Sequence, residues 1–92
     1  MIGTDLKQQM QLSEMKEGQS GRIVRVGGDI RLRRRLIEMG LSRDAVFHVE
    51  KYAPLRDPLE LVVKGTHVSL RVQEALEIIV ESFNGGTPGG TG

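Results

Sequence analysis

Alternation of apolar and polar residues predicts five short β-strands. The clearest case is 45–52, where Ala45, Phe47 and Val49 fall on one face and polar residues on the other, as in a strand with one buried side. Two more runs flank Gly65 and predict a hairpin. The five predicted strands are 21–26, 45–52, 59–63, 68–70 and 78–80.

A short helix is predicted over 30–39. Asp29 is a suitable N-cap, because its carboxylate can accept the free N–H groups of the first turn. Leu32, Leu36 and Met39 lie at i, i+4 and i+7 and form one apolar stripe. Gly40 stands where a left-handed C-terminal residue is needed. The stripe should pack on the core, because ten residues are too few for an isolated helix to be stable.

Arginines cover the rest of this helix. The stretch 31–41 reads RLRRRLIEMGL, and Arg31, Arg34 and Arg35 fall away from the apolar stripe. Glu38 lies four residues after Arg34, a spacing that favours an ion pair. The pattern predicts a docked helix with a basic outer face.

Five short strands within about 60 residues predict a mainly β fold, a small closed or nearly closed barrel, since closure removes exposed strand edges. A short helical turn is expected at 71–76, near the C-terminal end. Residues 12–82 form the predicted domain, after a flexible lead-in at 1–11. Residues 83–92 are predicted to be a disordered tail, because 84–92 contain five glycines and one proline.

Charge and composition narrow the function classes. The net charge is +1, with +4 over residues 1–43 and −3 over residues 44–92, so the two halves could form a polar interaction surface. Without cysteine there is no disulfide framework or zinc finger. No apolar run approaches the roughly 20 residues of a membrane span, and the N-terminus lacks the apolar core of a signal peptide. A cytoplasmic protein is the expectation.

Catalytic and metal motifs are weak. Gly27-Gly28 lacks the lysine and the spacing of a P-loop. His48 and His67, the two histidines, could form only a weak surface metal site with Asp57 or Glu50. A histidine on the solvent face of a strand is more often an ordinary surface residue, so no cofactor and no catalytic residue is predicted.

Nucleic-acid binding is the alternative function. Small β-barrels bind RNA and DNA, and the arginine run offers positive charge. Such binders normally add aromatic stacking platforms, and here Phe47, Tyr52 and Phe83 are the three aromatic residues. Phe47 is expected to point inward, which weakens this alternative without removing it.

Four stretches in a fixed order resemble the ferrous iron transport protein A (FeoA) family. The stretch 34–41 contains R-R-L-x-x-M-G-L, and the stretch 53–61 contains A-P-L-x-D-P-x-x-L. The other matching stretches are 12–18 (LSEMKEG) and 65–75, through Gly65, Ser69-Leu70-Arg71 and Glu74-Ala75. The chain departs from the family at two turn positions: Arg43-Asp44 replaces a frequent Pro-Gly, and Arg56 replaces a frequent Gly.

The resemblance implies a compact SH3-like barrel with the arginine helix inserted between its first two predicted strands. It implies a non-enzymatic bacterial cytoplasmic protein that binds the cytosolic GTP-binding region of the membrane ferrous iron transporter FeoB, which could recruit it to the inner face of the membrane. The candidate contact residues are Arg31, Arg34 and Arg35 on the helix and Leu55, Arg56 and Asp57 in the loop. A purely structural interpretation of the loop stays open, in which Pro54 and Pro58 shape the chain and Asp57 caps the turn.

Overall fold

A computed structural model describes residues 9–83. The described part contains six β-strands, two α-helices and a 3-10 helix at Leu12–Glu14. The strands are β1 (Gln9–Gln11), β2 (Ser20–Val26), β3 (Val46–Tyr52), β4 (Leu59–Val63), β5 (Thr66–Leu70) and β6 (Ile78–Ser82), and the helices are α1 (Ile30–Glu38) and α2 (Val72–Ala75). The predicted mainly β fold is confirmed, with α1 between β2 and β3.

One antiparallel sheet contains all six strands in the order β1-β6-β2-β3-β4-β5. The β4–β5 hairpin turns through Lys64 (φ 53°) and Gly65 (φ 78°), the two left-handed residues of a tight hairpin turn. This turn is shorter than predicted, so β5 begins at Thr66 and not at residue 68. Within the described residues the sheet stays open between β1 and β5 and does not close into a barrel through hydrogen bonds.

The first strand corrects the predicted lead-in. Residues 9–11 of the segment expected to be flexible form β1, which pairs with β6 through Met10 and Val80. A stretch reading QMQ has one apolar residue and no alternation to recognise, so its strand depends on a partner distant in sequence. At the other end, Phe83 was the first residue of the predicted disordered tail. Its N–H donates to the Ser20 carbonyl at 2.9 Å. The rest of both predicted flexible ends lies outside the described residues.

Helix α1 follows its predicted caps closely. The Asp29 carboxylate accepts the Leu32 N–H at 2.9 Å. Gly40 has φ +98°, and the N–H of Leu41 returns to the Leu36 carbonyl at 2.9 Å, which closes the helix in a Schellman arrangement. Leu36 is fully buried, while Leu32 and Met39 are half-buried against the core. The predicted apolar stripe therefore faces the sheet.

Candidate functional site

The loop between β3 and β4 is a compact, internally bonded turn. The Arg56 N–H donates to the Ala53 carbonyl at 2.7 Å, and the Ala53 N–H donates to the Pro58 carbonyl at 2.9 Å. Arg56 has φ +65°, a left-handed conformation that costs a non-glycine residue on the order of 1 kcal/mol. The loop is thus held in one shape by its own backbone.

Tyr52 anchors this loop to the body of the domain. Its hydroxyl donates to the Met15 carbonyl oxygen and also lies 3.2 Å from the Ser13 carbonyl oxygen. The Arg56 guanidinium lies 4.3 Å from the centre of the Tyr52 ring, within the range of a cation–π contact. Burial raises the pKa of Tyr52 above its ordinary value, and the charge of Arg56 opposes part of that rise.

Leu55 stands at the tip of the loop, 89% exposed. The neighbours of Leu55 are fixed: Arg56 lies over Tyr52, and Asp57 is bonded to α2. A large apolar side chain on a preformed loop loses little conformational entropy on binding, which suits an interface anchor.

Asp57 caps α2, and both of its carboxylate oxygens have partners. One of its carboxylate oxygens accepts the Val72 N–H at 3.1 Å, and the other lies 3.9 Å from an Arg71 guanidinium nitrogen. Asp57 therefore has a structural contact, but with α2 and not with the turn of the loop that the structural interpretation named.

Glu74 joins α2 to α1. One carboxylate oxygen accepts the Arg71 backbone N–H at 2.9 Å, and the other is paired with the Arg35 guanidinium. Arg35, expected on the outer basic face, is thus directed to α2. The two predicted contact patches, on α1 and on the loop, are connected through α2, which bonds to Arg35 on one side and to Asp57 on the other.

The outer face of α1 contains residues that the sequence-based prediction missed. Ile30, Arg33 and Ile37, which were not among the predicted contact residues, share one side of the helix with Arg34 at i, i+3, i+4 and i+7. Ile30 is 68% exposed and Ile37 49%. A helical projection of the sequence would have shown this second stripe, because its residues repeat at helical spacing on a side different from that of the buried stripe.

Residues 10–82 match the family model described as the FeoA domain. The chain belongs to the FeoA family. A curated relative from Porphyromonas gingivalis, named as an Fe²⁺ transport protein A/Fe²⁺ transporter FeoB fusion protein, is 42% identical over 72 residues. The match covers 78% of this chain and only 8% of that relative's length.

Two solved structures of FeoA proteins show the same fold. The FeoA protein of Chlorobium tepidum has a TM-score of 0.79 and 36% identity, over 90% of this chain and 79% of that one. Stenotrophomonas maltophilia FeoA, solved with zinc and described as a prokaryotic SH3 domain protein, has a TM-score of 0.69 and 28% identity, over 78% of this chain and 89% of that one. The predicted SH3-like fold of this FeoA domain is confirmed.

Both departures from the family pattern fall at left-handed positions. Asp44 has φ +71° and Arg56 has φ +65°, at the two positions where the resemblance leads us to expect glycine. Glycine adopts this conformation without steric cost, and Asp tolerates it better than Arg, so the cost falls mainly on Arg56. Arg56 gains the contact with Tyr52 in exchange.

Of the four residues of the weak metal-site hypothesis, the structure brings His67 and Glu50 together but pairs His48 and Asp57 elsewhere. The His48 Nδ1 lies 2.8 Å from the Ser20 hydroxyl, the His67 Nδ1 lies 3.2 Å from a Glu50 oxygen, and Asp57 caps α2. Residues 9–83 contain no group of three or more His, Asp or Glu side chains placed to hold a metal ion.

None of the helices in the described part of the chain is long and apolar enough to cross a membrane.

Glu74 should make the domain's stability depend on acidic pH. Burial favours its neutral form, but hydrogen bonds from the Arg35 side chain and the Arg71 backbone, with the charges of both arginines, lower the pKa of Glu74 below its ordinary value. The resulting stabilisation is fully present above the unfolded pKa, about 4.3. It is lost as the pH falls through the lower folded pKa.

We expect Glu74→Gln to lower the free energy of unfolding by up to about 1 kcal/mol at pH 7. At pH 3 the difference from the parent protein should shrink, and urea unfolding followed by circular dichroism at both pH values measures it. Glu77→Gln is the matched control, since Glu77 is exposed. A Glu74→Gln difference that is equal at both pH values would contradict the assignment.

Proposed function

We propose that this FeoA domain is a non-enzymatic accessory protein of bacterial ferrous iron uptake. It binds the cytosolic GTP-binding region of the FeoB transporter and modulates the transporter's assembly or activity. Its family supports the role in ferrous iron transport. The Porphyromonas gingivalis relative, whose name joins transport protein A and FeoB in one chain, supports the choice of partner. The domain acts in the cytoplasm and is recruited to the inner face of the membrane through FeoB.

The proposal rests on the exposure of the Leu55 side chain. It is the most exposed of the large apolar side chains in the described part of the chain, on a loop fixed by Tyr52, Arg56 and Asp57. Leu55, with Arg31 and Arg34 on α1, contacts the transporter directly. Arg56, Asp57 and Arg35 act as positioning residues, because their polar groups are engaged with Tyr52 and α2.

The nucleic-acid alternative has little aromatic support. Phe47 is buried, 1% exposed, in the core. The Tyr52 ring has the Arg56 guanidinium on one side, so Phe83, 50% exposed, is the remaining ring for stacking. Single-strand binders use several exposed rings along a basic groove.

The Leu55→Ser variant should bind the cytosolic GTP-binding domain of FeoB from the same organism more weakly than the parent domain does. Losing the burial of one leucine side chain costs roughly 1.5–3 kcal/mol, so we expect the Kd to rise about 10- to 100-fold. Isothermal titration calorimetry gives the Kd, and amide NMR shifts of the labelled domain locate the contact.

Val46→Ser is the matched control. Val46 is 53% exposed and lies at the opposite end of β3 from Tyr52, roughly 20 Å along the strand. This variant should bind like the parent. Absence of binding by the parent domain would contradict the proposed function, and equal binding by Leu55→Ser would exclude Leu55 from the interface.

A further inference from the structure

A groove lies between the outer side of α1 and strand β2. Arg33 and Ile37 of α1 line it together with β2 and with the segment after α1, and the remaining lining residues are Val24, Arg25, Val26 and Arg43. Its volume is about 300 Å³. A second depression of about 260 Å³ continues it along α1 through Ile30 and Arg34 and shares Arg33 and Ile37 with the first.

The groove has an apolar floor and a basic rim. Ile30 and Ile37 are exposed on a side of α1 different from that of the buried Leu36 and are seven residues apart, about 10 Å along the helix. In the described residues, Arg25, Arg33, Arg34 and Arg43 have no carboxylate oxygen within 4.0 Å. Glu38 is the one acidic residue along the two depressions, and the ion pair predicted between it and Arg34 does not form.

Four unpaired guanidinium groups around exposed isoleucines favour a ligand with both carboxylates and apolar side chains. Guanidinium groups bind carboxylates through two parallel hydrogen bonds. An apolar stripe about two helical turns long, inside a concave surface, matches the helix-in-groove mode of recognition, with anchors at i, i+3 or i+4, and i+7.

We propose that this groove docks an acidic amphipathic helix of the cytosolic part of FeoB. The inference rests on the proposed function and adds a second contact to Leu55. The docked helix places apolar side chains over Ile30 and Ile37, and its Asp and Glu residues pair with Arg25, Arg33, Arg34 and Arg43. Arg31 lies outside the two depressions and is not part of this groove.

A second copy of this chain is a poorer occupant. Of the eleven acidic residues in 9–83, six are already engaged: Glu81 with Arg22, Glu74 with Arg35, Asp57 with Arg71, Glu50 with His67, Asp29 with the Leu32 N–H and Glu17 with the Tyr52 N–H. A flat lipid surface would reach the exposed isoleucines but would not fill a concave groove lined by Val24 and Val26.

Two groove variants test the proposal by calorimetry with the FeoB cytosolic domain. Ile37→Gln removes an apolar anchor, and Arg33→Gln combined with Arg34→Gln removes two positive charges. We expect each to raise the Kd about tenfold, and the arginine variant to reduce the dependence of the Kd on salt concentration. All these side chains are exposed, so the free energy of unfolding should fall by less than about 1 kcal/mol in each variant.

Lys16→Gln combined with Lys51→Gln is the charge-matched control. Both lysines are exposed and lie outside the groove, so this variant should bind within about twofold of the parent and keep its salt dependence. Binding that is sensitive to Leu55→Ser but unchanged in the groove variants would overturn the groove and leave the proposed function standing. A parent domain that does not bind at all would overturn both.

Crosslinking identifies the occupant. A photoreactive phenylalanine analogue in place of Ile37 should capture an acid-rich helical peptide of the FeoB cytosolic domain. Capture of a second copy of this chain, or of a FeoB segment without acidic residues, would overturn the proposal. A vesicle experiment tests a lipid ligand. If the groove variants no longer sedimented with phosphatidylglycerol vesicles but still bound FeoB like the parent, a lipid surface would be the ligand and the proposal would be overturned.

Discussion

Leu36→Ala should lower the free energy of unfolding by about 2–5 kcal/mol. Leu36 is fully buried and belongs to the core on which α1 packs. The substitution removes three buried carbon atoms and leaves a cavity that the surrounding strands can fill only in part. Alanine has a higher helix propensity than leucine, so the loss reports packing and not helix formation. Urea unfolding followed by far-ultraviolet circular dichroism measures it.

Ile37→Ala is the control for this substitution. Ile37 is the next residue of the same helix and is 49% exposed, so its truncation should cost less than about 1 kcal/mol. If Leu36→Ala cost less than about half a kcal/mol, α1 would not be docked through this side chain.

Gly21→Ala should destabilise the domain by about 3 kcal/mol, the upper range for inserting an atom into a packed site. A Cβ at this buried position of β2 would lie 2.3 Å from the Glu81 carbonyl oxygen and 3.1 Å from the Cζ of the Phe47 ring. Backbone cannot move aside as a flexible side chain can, so β2 and β6 would have to separate. Chemical unfolding gives the size of the effect, and amide exchange should show faster opening along the β2–β6 pair.

Gly18→Ala separates this steric effect from a backbone effect. Gly18 has φ +89° and no atom within 4 Å of an added Cβ, so its substitution should cost only the left-handed conformation, about 1–2 kcal/mol. A loss for Gly21→Ala smaller than that for Gly18→Ala would contradict the close approach of β2 to β6.

The elements that were predictable from the sequence are those set by neighbouring residues. The cap at Asp29, the stripe around Leu36 and the left-handed Gly40 all act within one or two helical turns, so periodicity and turn chemistry were enough to place α1. The β4–β5 hairpin was predictable for the same reason, through Gly65.

Partners distant along the chain could not be predicted in this way. Strand β1 depends on β6, some 70 residues later. Asp57 caps a helix 15 residues away, and Arg35 is paired with Glu74, 39 residues away. The predicted contact residues remain a prediction, and the engagement of Arg35 and Asp57 with α2 could be seen only from the packing of that helix.

The pairing of β1 with β6 has a consequence for how this domain can be attached to other proteins. Gln9 lies opposite Glu81, so the two ends of the described segment leave from adjacent strands, about 5 Å apart. A polypeptide joined at either end is tethered at nearly the same point of the domain. Such a module can be appended to a larger chain at either end, or inserted within it, from nearly the same point of its surface.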